Sequence, residues 1–333
     1  MRKQLLILLF SNTFATFSIV AVDTNTREVG SAGGSCIANS IIISDIHPGV
    51  GVIHTQSYWN QANQNYASDL MNQGFSPDEI MDLLEQNDIQ NNPGIRQYGA
   101  ADLYQENNYG YLYEYECMEI EDAIWYGDDN NSLGECGDAI TSRTSSFTGV
   151  NCLDWKGHIN GINYAIQGNI LLNEAILTGI EDAFVNTNGN LDQKLMAALQ
   201  GGKVPGADSR CLDEGISTLS AFIRVAKPYD DDDFYMDINV NSVIPYYNNT
   251  GEWLDPIDTL QTLYDNWYNY VFEYDIGDTN QDNIINILDV VIVVNFIMGE
   301  HPLGIEYYLS DMNSDGIINI QDIILLINQI LGT

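Results

Sequence analysis

Near the C-terminus, the stretch Asp278-Thr279-Asn280-Gln281-Asp282-Asn283-Ile284-Ile285-Asn286-Ile287-Leu288-Asp289 has a second version. It runs Asp311-Met312-Asn313-Ser314-Asp315-Gly316-Ile317-Ile318-Asn319-Ile320-Gln321-Asp322. Oxygen-bearing side chains recur at loop positions 1, 3, 5, 9 and 12: Asp278, Asn280, Asp282, Asn286 and Asp289, then Asp311, Asn313, Asp315, Asn319 and Asp322. Position 7 offers a backbone carbonyl, from Ile284 and from Ile317. A calcium ion takes about six to eight oxygens, and alternate residues of a curling loop point inward to supply them. Position 6 requires a left-handed backbone, free for Gly316 and modestly costly for Asn283. The pattern predicts calcium, one ion in each loop, as a structural cofactor for a segment with too small a core to fold comfortably alone.

At the other end, Arg2 and Lys3 precede the apolar run Leu5–Phe10 and then Ser11-Asn12-Thr13-Phe14-Ala15. Basic, apolar, then small is the order of a secretory signal peptide, and Thr13 and Ala15 stand at the −3 and −1 positions of a cut after Ala15. A cut at the next small pair, Gly30 and Ala32, would destroy the strand-like Phe17–Val22. The mature chain is then expected to open at Thr16. A terminal threonine joins a nucleophilic hydroxyl to an α-amine of pKa about 8 that can take its proton, so nucleophile and base share one residue.

These groups must be held by a packed body. The chain has 333 residues, 45% of them hydrophobic and 17% charged, which excludes general disorder. Eleven Lys+Arg against 47 Asp+Glu leave a net charge of −36, which repels phosphate backbones and anionic lipid. No nucleic-acid partner is expected. Nor is a membrane span, since the longest internal candidate, Ile287–Met298, is short and broken by Asp289 and Asn295. Five cysteines fit export; two bridges and one free thiol allow 15 arrangements that sequence does not choose among, and the expectation adopted is Cys117–Cys136 and Cys152–Cys211, with Cys36 left over in an apolar strand. The four histidines have no metal spacing, and His54, inside a strand, reads as a core polar residue rather than a base.

Period-two runs predict strands at Phe17–Val22, Val29–Ile37, Gly49–Tyr58, Ile95–Leu103, Asn163–Leu171, Thr218–Ala226 and Phe234–Val240. Helices are predicted at Gln61–Asn72, Pro77–Gln86 (with a Ser76/Glu79 capping box), Asn173–Val185, Asp192–Leu199 ended by Gly201-Gly202, and from Asp255 to about Phe272. That last helix should turn Leu260, Leu263, Trp267 and Tyr270 inward. Tyr104–Ser146 resists assignment, apart from an alternating tyrosine strand at Tyr109–Tyr115; Asp230–Asp233 reads as a solvated turn. Strand pairs alternating with helix pairs predict two sheets face to face with helices outside.

Several segments carry a resemblance: Thr16–Ala21, Gly51–Gln56, Arg96-Gln97-Tyr98-Gly99, Gln167-Gly168-Asn169, Ala207-Asp208-Ser209-Arg210 and Asp255-Pro256-Ile257. Together they resemble the family called domain of unknown function 1028, grouped with the N-terminal-nucleophile (Ntn) hydrolases. The resemblance implies a four-layer α/β/β/α sandwich over 16–270 whose nucleophile is the first mature residue, Thr16. An oxyanion hole would then be sought at Gly33-Gly34-Ser35, Gln56 and Asn169, all of which also read as tight packing or turn bonding. No lysine stands near the first two strands to depress the amine.

After a linker at 271–275, the two loops, each running into an apolar helix (Val290–Met298 and Ile323–Leu331), resemble a type I dockerin over 276–333, with no clear helix ahead of either loop. That resemblance implies a cohesin-bearing scaffold or surface protein as partner, although contact positions 10 and 11 are Ile287, Leu288, Ile320 and Gln321, not the hydroxylated residues of cellulosomal examples. The chain thus reads as secreted or cell-surface. Its expected function is an amidohydrolase on a calcium-dependent tether; the competing readings are a non-catalytic binding module on the same tether, or a scaffold component.

Overall fold

The computed structural model describes residues 16–105, 140–231, 234–241, 254–271, 274–300, 302, 305–313 and 317–332. The leader, the tyrosine strand at Tyr109–Tyr115 and the Cys117–Cys136 pair lie outside them. In chain order come β1 (Thr16–Val22), β2 (Val29–Ser35), β3 (Ser44–His47), β4 (Gly51–Ser57), α1 (Gln61–Asn72), α2 (Pro77–Gln86), β5 (Arg96–Tyr104) and β6 (Thr141–Thr148). Next are β7 (Gly157–Asn160), β8 (Tyr164–Asn169), α3 (Ala175–Asn186), α4 (Leu191–Gly202), β9 (Ser220–Ala226), β10 (Met236–Asn241) and α5 (Pro256–Val271). The C-terminal segment adds α6 (Ile287–Ile297), α7 (Ile305–Ser310) and α8 (Ile320–Leu331).

Two antiparallel sheets result, ordered β10-β9-β2-β1-β8-β7 and β3-β4-β5-β6. β1 is central: Phe17 pairs with Gly34 on one side and Gly168 on the other. Its period of two divides its burial. Phe17, Ile19 and Ala21 join a core with Leu177 and Ile180 of α3 and Leu195 and Leu199 of α4. The alternate residues Val20 and Val22 meet Ile46, Val52 and Ala101 of the other sheet. That sheet turns Ile53, Tyr98 and Ala100 toward Ala67, Leu70 and Met71 of α1 and Ile80 and Leu84 of α2. Helices therefore cover the faces that the sheets do not turn toward each other.

Local chemistry accounts for most boundaries. Pro77 opens α2 behind the predicted capping box, with Glu79 N–H donating to Ser76 Oγ at 3.3 Å and Ser76 N–H to Glu79 Oε2 at 2.8 Å. Other expectations need correction. Gly201-Gly202 forms the last two residues of α4, not a cap beyond it; a Cβ on Gly201 would lie 2.2 Å from the Gly179 carbonyl oxygen, so these glycines also let α3 and α4 cross closely. Leu263 is 42% exposed, and α5 instead buries Ile257, Leu260 and Tyr264. β3, β6 and β7 appear where no strand was predicted. A six-residue helix, α7, does lead into the second loop. The C-terminal segment has its own small core of Val290, Val293, Ile323 and Leu326. No described helix is long and apolar enough to cross a membrane.

Candidate functional site

Thr16 begins the central strand, in register with Asn169, and is fully buried. Alternation puts its side chain with Ser18 on the face turned to the other sheet. Its Oγ1 has no hydrogen-bond partner, an orphaned buried hydroxyl of the kind that costs about 1–3 kcal/mol unless it has another use.

Around it the sheets meet through polar groups, not apolar ones. Gln167 Nε2 donates to Ser18 Oγ at 2.7 Å, and Ser18 Oγ donates to Gln56 Oε1 at 2.7 Å. Gln56 Nε2 donates to Gln97 Oε1 at 2.8 Å and toward the Thr16 carbonyl at 3.4 Å. The same Gln97 Oε1 accepts from Asn169 Nδ2 at 3.0 Å. Gln97 Nε2 is in turn held by Thr148 Oγ1 at 2.9 Å and by the carbonyls of Gly157 (3.0 Å) and Gly168 (2.8 Å). The Gln56 and Gln97 amides therefore have an orientation set by what they donate to and accept from, whereas Gln167 Oε1 has no partner. Gln56 and Asn169, both expected from sequence, are brought together here. Gln97, the residue that joins them, was not expected, although an inward-facing glutamine in a buried strand is its visible sign.

His54 closes the other end. Gln167 Nε2 lies 3.1 Å from His54 Nδ1, and His54 Nε2 has no partner. Burial, helped by the charge of Arg224, depresses this imidazole to about 3, so it stays neutral at ordinary pH and is no general base.

Gly34 and Ser35 fare differently. Gly34 lies in a doubly paired strand, between Phe17 and Ala221, and a Cβ there would come within 2.7 Å of Thr218 Cγ2; its role is close packing. Ser35 follows it at the end of β2, and Arg210 Nη2 donates to its Oγ at 3.4 Å. Arg210 forks onto Asp208 through Nε (3.1 Å) and Nη2 (2.8 Å), while the same buried carboxylate accepts the Cys36 N–H at 2.7 Å. The expected Cys152–Cys211 pairing is wrong. Cys211 bonds Cys36, with Cα atoms 5.8 Å apart, and Cys152 is a buried thiol beside the Arg96 carbonyl. Lys227 pairs with Glu28 at the opposite end of the β1–β2 hairpin, whereas Lys156 precedes β7 at the Thr16 end of the sheet, where its Nζ donates to the Val150 and Cys152 carbonyls and pairs with Asp154.

The first C-terminal loop has left-handed backbone at Gln281 (φ 61°) and at Asn283 (φ 63°), where position 6 demands it. Asp278 accepts the N–H groups of Asp282 (3.1 Å) and Asn283 (2.8 Å), and Asp289 those of Asn280 (3.1 Å) and Asn286 (2.8 Å). In the second loop Asp322 takes Met312 N–H at 2.9 Å and Asn319 N–H at 2.8 Å. Asp315 lies outside the described residues. Asn286 and Asn319 also cap α6 and α8, with Asp289 and Asp322 completing capping boxes, so both helices start three residues earlier than expected.

Among the described residues no three His, Cys, Asp or Glu side chains converge as a metal cluster. The fit rests on mixed donors instead. Asp278 and Asp289 are 1% and 0% exposed and are hydrogen-bonded to neutral amides, in a segment 276–333 that contains no Lys or Arg. Carboxylates buried in that way call for a cation, and the Asn280, Asn286 and Ile284 oxygens suit calcium.

A mixed α/β body of two antiparallel sheets, followed by paired Asx-rich loops with their helices, is the class this architecture defines. The chain belongs to the family of unknown function DUF1028, whose profile matches residues 16–111 and 138–244. Residues 276–331 match the dockerin type I domain. A crystal structure of a Silicibacter pomeroyi protein of the same family is similar at 19% identity and a TM-score of 0.52, covering 76% of this chain and 88% of that one. No curated protein matches. Type I dockerin domains bind calcium, dockerins associate with cohesins, and proteins that carry them are typically extracellular or cell-surface.

Proposed function

We propose that this protein is a secreted or cell-surface hydrolase of the Ntn type, acting on an amide or peptide bond through Thr16. The body, 16–270, is then the four-layer sandwich of that class, joined through 271–275 to a dockerin at 276–333. The observation that carries the reading is the orphaned Thr16 hydroxyl at the head of the central strand, facing a ring of oriented side-chain amides.

After removal of residues 1–15, the Thr16 hydroxyl adds to a carbonyl carbon while its own α-amine takes the proton. The second N–H of Asn169 is the donor for the developing oxyanion; Gln97 holds that amide, and Gln56 beside it, at a fixed angle before substrate arrives. The amine then returns the proton to the leaving nitrogen, and water releases the acyl group. His54, neutral throughout, takes no part in proton transfer.

One observation favours a non-catalytic binding module instead: Thr16 is fully buried. Intact mass of the secreted protein, followed by amidase and peptidase screening of wild type, Thr16→Ala and Thr16→Ser, separates the two. A mature chain that starts elsewhere, or turnover that survives Thr16→Ala, ends the enzyme reading.

In the tail, Asp278, Asn280, Asp282, Ile284, Asn286 and Asp289 would hold one calcium ion. Asp311, Asn313, Asp315, Ile317, Asn319 and Asp322 would hold another. The metal supplies the charge that lets these carboxylates stay buried. Ile287, Leu288 and Ile320, each more than half exposed, would meet a cohesin through apolar contact. Loss of two-site calcium titration on changing Asp278 and Asp311 together to Asn is the expected result; unaltered titration would sink the assignment.

A further inference from the structure

The C-terminal segment does not hang free. Tyr307 of α7 is 2% exposed and its ring centroid lies 6.2 Å from that of Tyr229, which follows β9 in the body. Lys227, paired with Glu28 at 2.7 Å, has its Nζ 4.4 Å from the Tyr235 ring and 5.5 Å from the Tyr307 ring. Tyr308 packs against the main core beside Trp267 and Tyr268. The same short helix reaches both loops. Asp311 N–H donates to the Tyr307 carbonyl at 3.1 Å, Gly277 N–H to the Leu309 carbonyl at 2.9 Å, and Ser310 Oγ to Thr279 Oγ1 at 3.5 Å.

From this junction we infer that α7 is an intramolecular docking element. It seats the tail on the body around Lys227, so that calcium held by the two loops stabilises the body as well as the tail. The seat is at the turn end of the β1–β2 hairpin, six residues along β1 from Thr16, or about 20 Å at strand rise. A partner gripping the tail is therefore held away from the Thr16 end. The inference uses the calcium assignment but is independent of any role for Thr16.

All five tryptophans, at 59, 125, 155, 253 and 267, precede the tail, so tryptophan fluorescence follows the body alone in the full-length protein. Its thermal midpoint should fall by roughly 3–6 °C when excess EGTA replaces 1 mM calcium, the size expected for losing a small aromatic and cation–π interface. Asp322→Asn should lower the midpoint in calcium by a similar amount. Tyr307→Ala should abolish the calcium dependence. Tyr229→Ala, which leaves the tail sequence intact, should do the same and guards against a tail that merely fails to fold. A body midpoint indifferent to EGTA in the wild type, or a calcium shift retained in both tyrosine variants, overturns the proposal.

Discussion

Gly99 on β5 and Gln167 on β8 share one space between the sheets: a Cβ on Gly99 would stand 1.8 Å from Gln167 Oε1. The glycine is there because the glutamine needs room to reach both Ser18 and His54. Gly99→Ala should therefore destabilise the protein by about 1–3 kcal/mol in urea unfolding, the usual cost of overpacking. The double variant Gly99→Ala/Gln167→Ala should recover part of that loss.

Gln97 is expected to matter more than its lack of any reactive group implies. Gln97→Met keeps the volume but removes the acceptor shared by Gln56 and Asn169, leaving buried N–H groups unmatched. A loss of about 3 kcal/mol is expected. On the proposed chemistry, turnover at Thr16 should fall further than the destabilisation alone accounts for, and the defect should lie in kcat, not KM.

The buried imidazole gives a pH signature. His54 takes its proton near 6.5 when unfolded but only at about 3 in the fold. The folded value is the lower one, so its share of stability is complete above pH 6.5 and is lost as pH falls from there toward 3, at about 1.4 kcal/mol per unit. His54→Asn retains an acceptor for Gln167 and should flatten the decline in urea midpoint between pH 6.5 and 5. An unchanged slope would mean that other groups dominate.

Cysteine mapping offers a direct check on the fold. A non-reduced digest should yield Cys36 and Cys211 in one linked species. Cys152, buried and with its thiol pushed upward chiefly by that burial, should alkylate only after denaturation. Reduction should lower stability by about 2–5 kcal/mol and free the loop that Asp208 anchors.

Which of these features the residues announce, and which they hide, follows from distance along the chain. Helix ends were legible because Ser76, Pro77 and Glu79 act on one another within a single turn. The loop turns were legible because the Asx side chains that cap them, such as Asp278 and Asp289, bond backbone within the same twelve residues. The inward amides were legible only singly: Gln56 and Asn169 stood out, but Gln97 joins them through pairing between strands far apart in sequence. The Cys36–Cys211 bond spans 175 residues, and no local pattern encodes such a meeting. β3 and β7, with four residues each, are too short for a period of two to emerge. Gly201-Gly202 marked the end of α4 correctly to within its last turn, but not the close crossing with Gly179 of α3, which only the packing of two helices reveals.

The position of β1 also sets a clock. A chain that emerges from its amino terminus lets β2 zip onto β1 as soon as residue 35 is free, but the opposite edge waits for residues 164–169. Until β8 arrives, Thr16 lacks the strand that pairs with it; afterwards it is buried at that edge. On the proposed maturation, removal of residues 1–15 is then expected to precede the arrival of β8, and delaying it should leave precursor that added peptidase does not process.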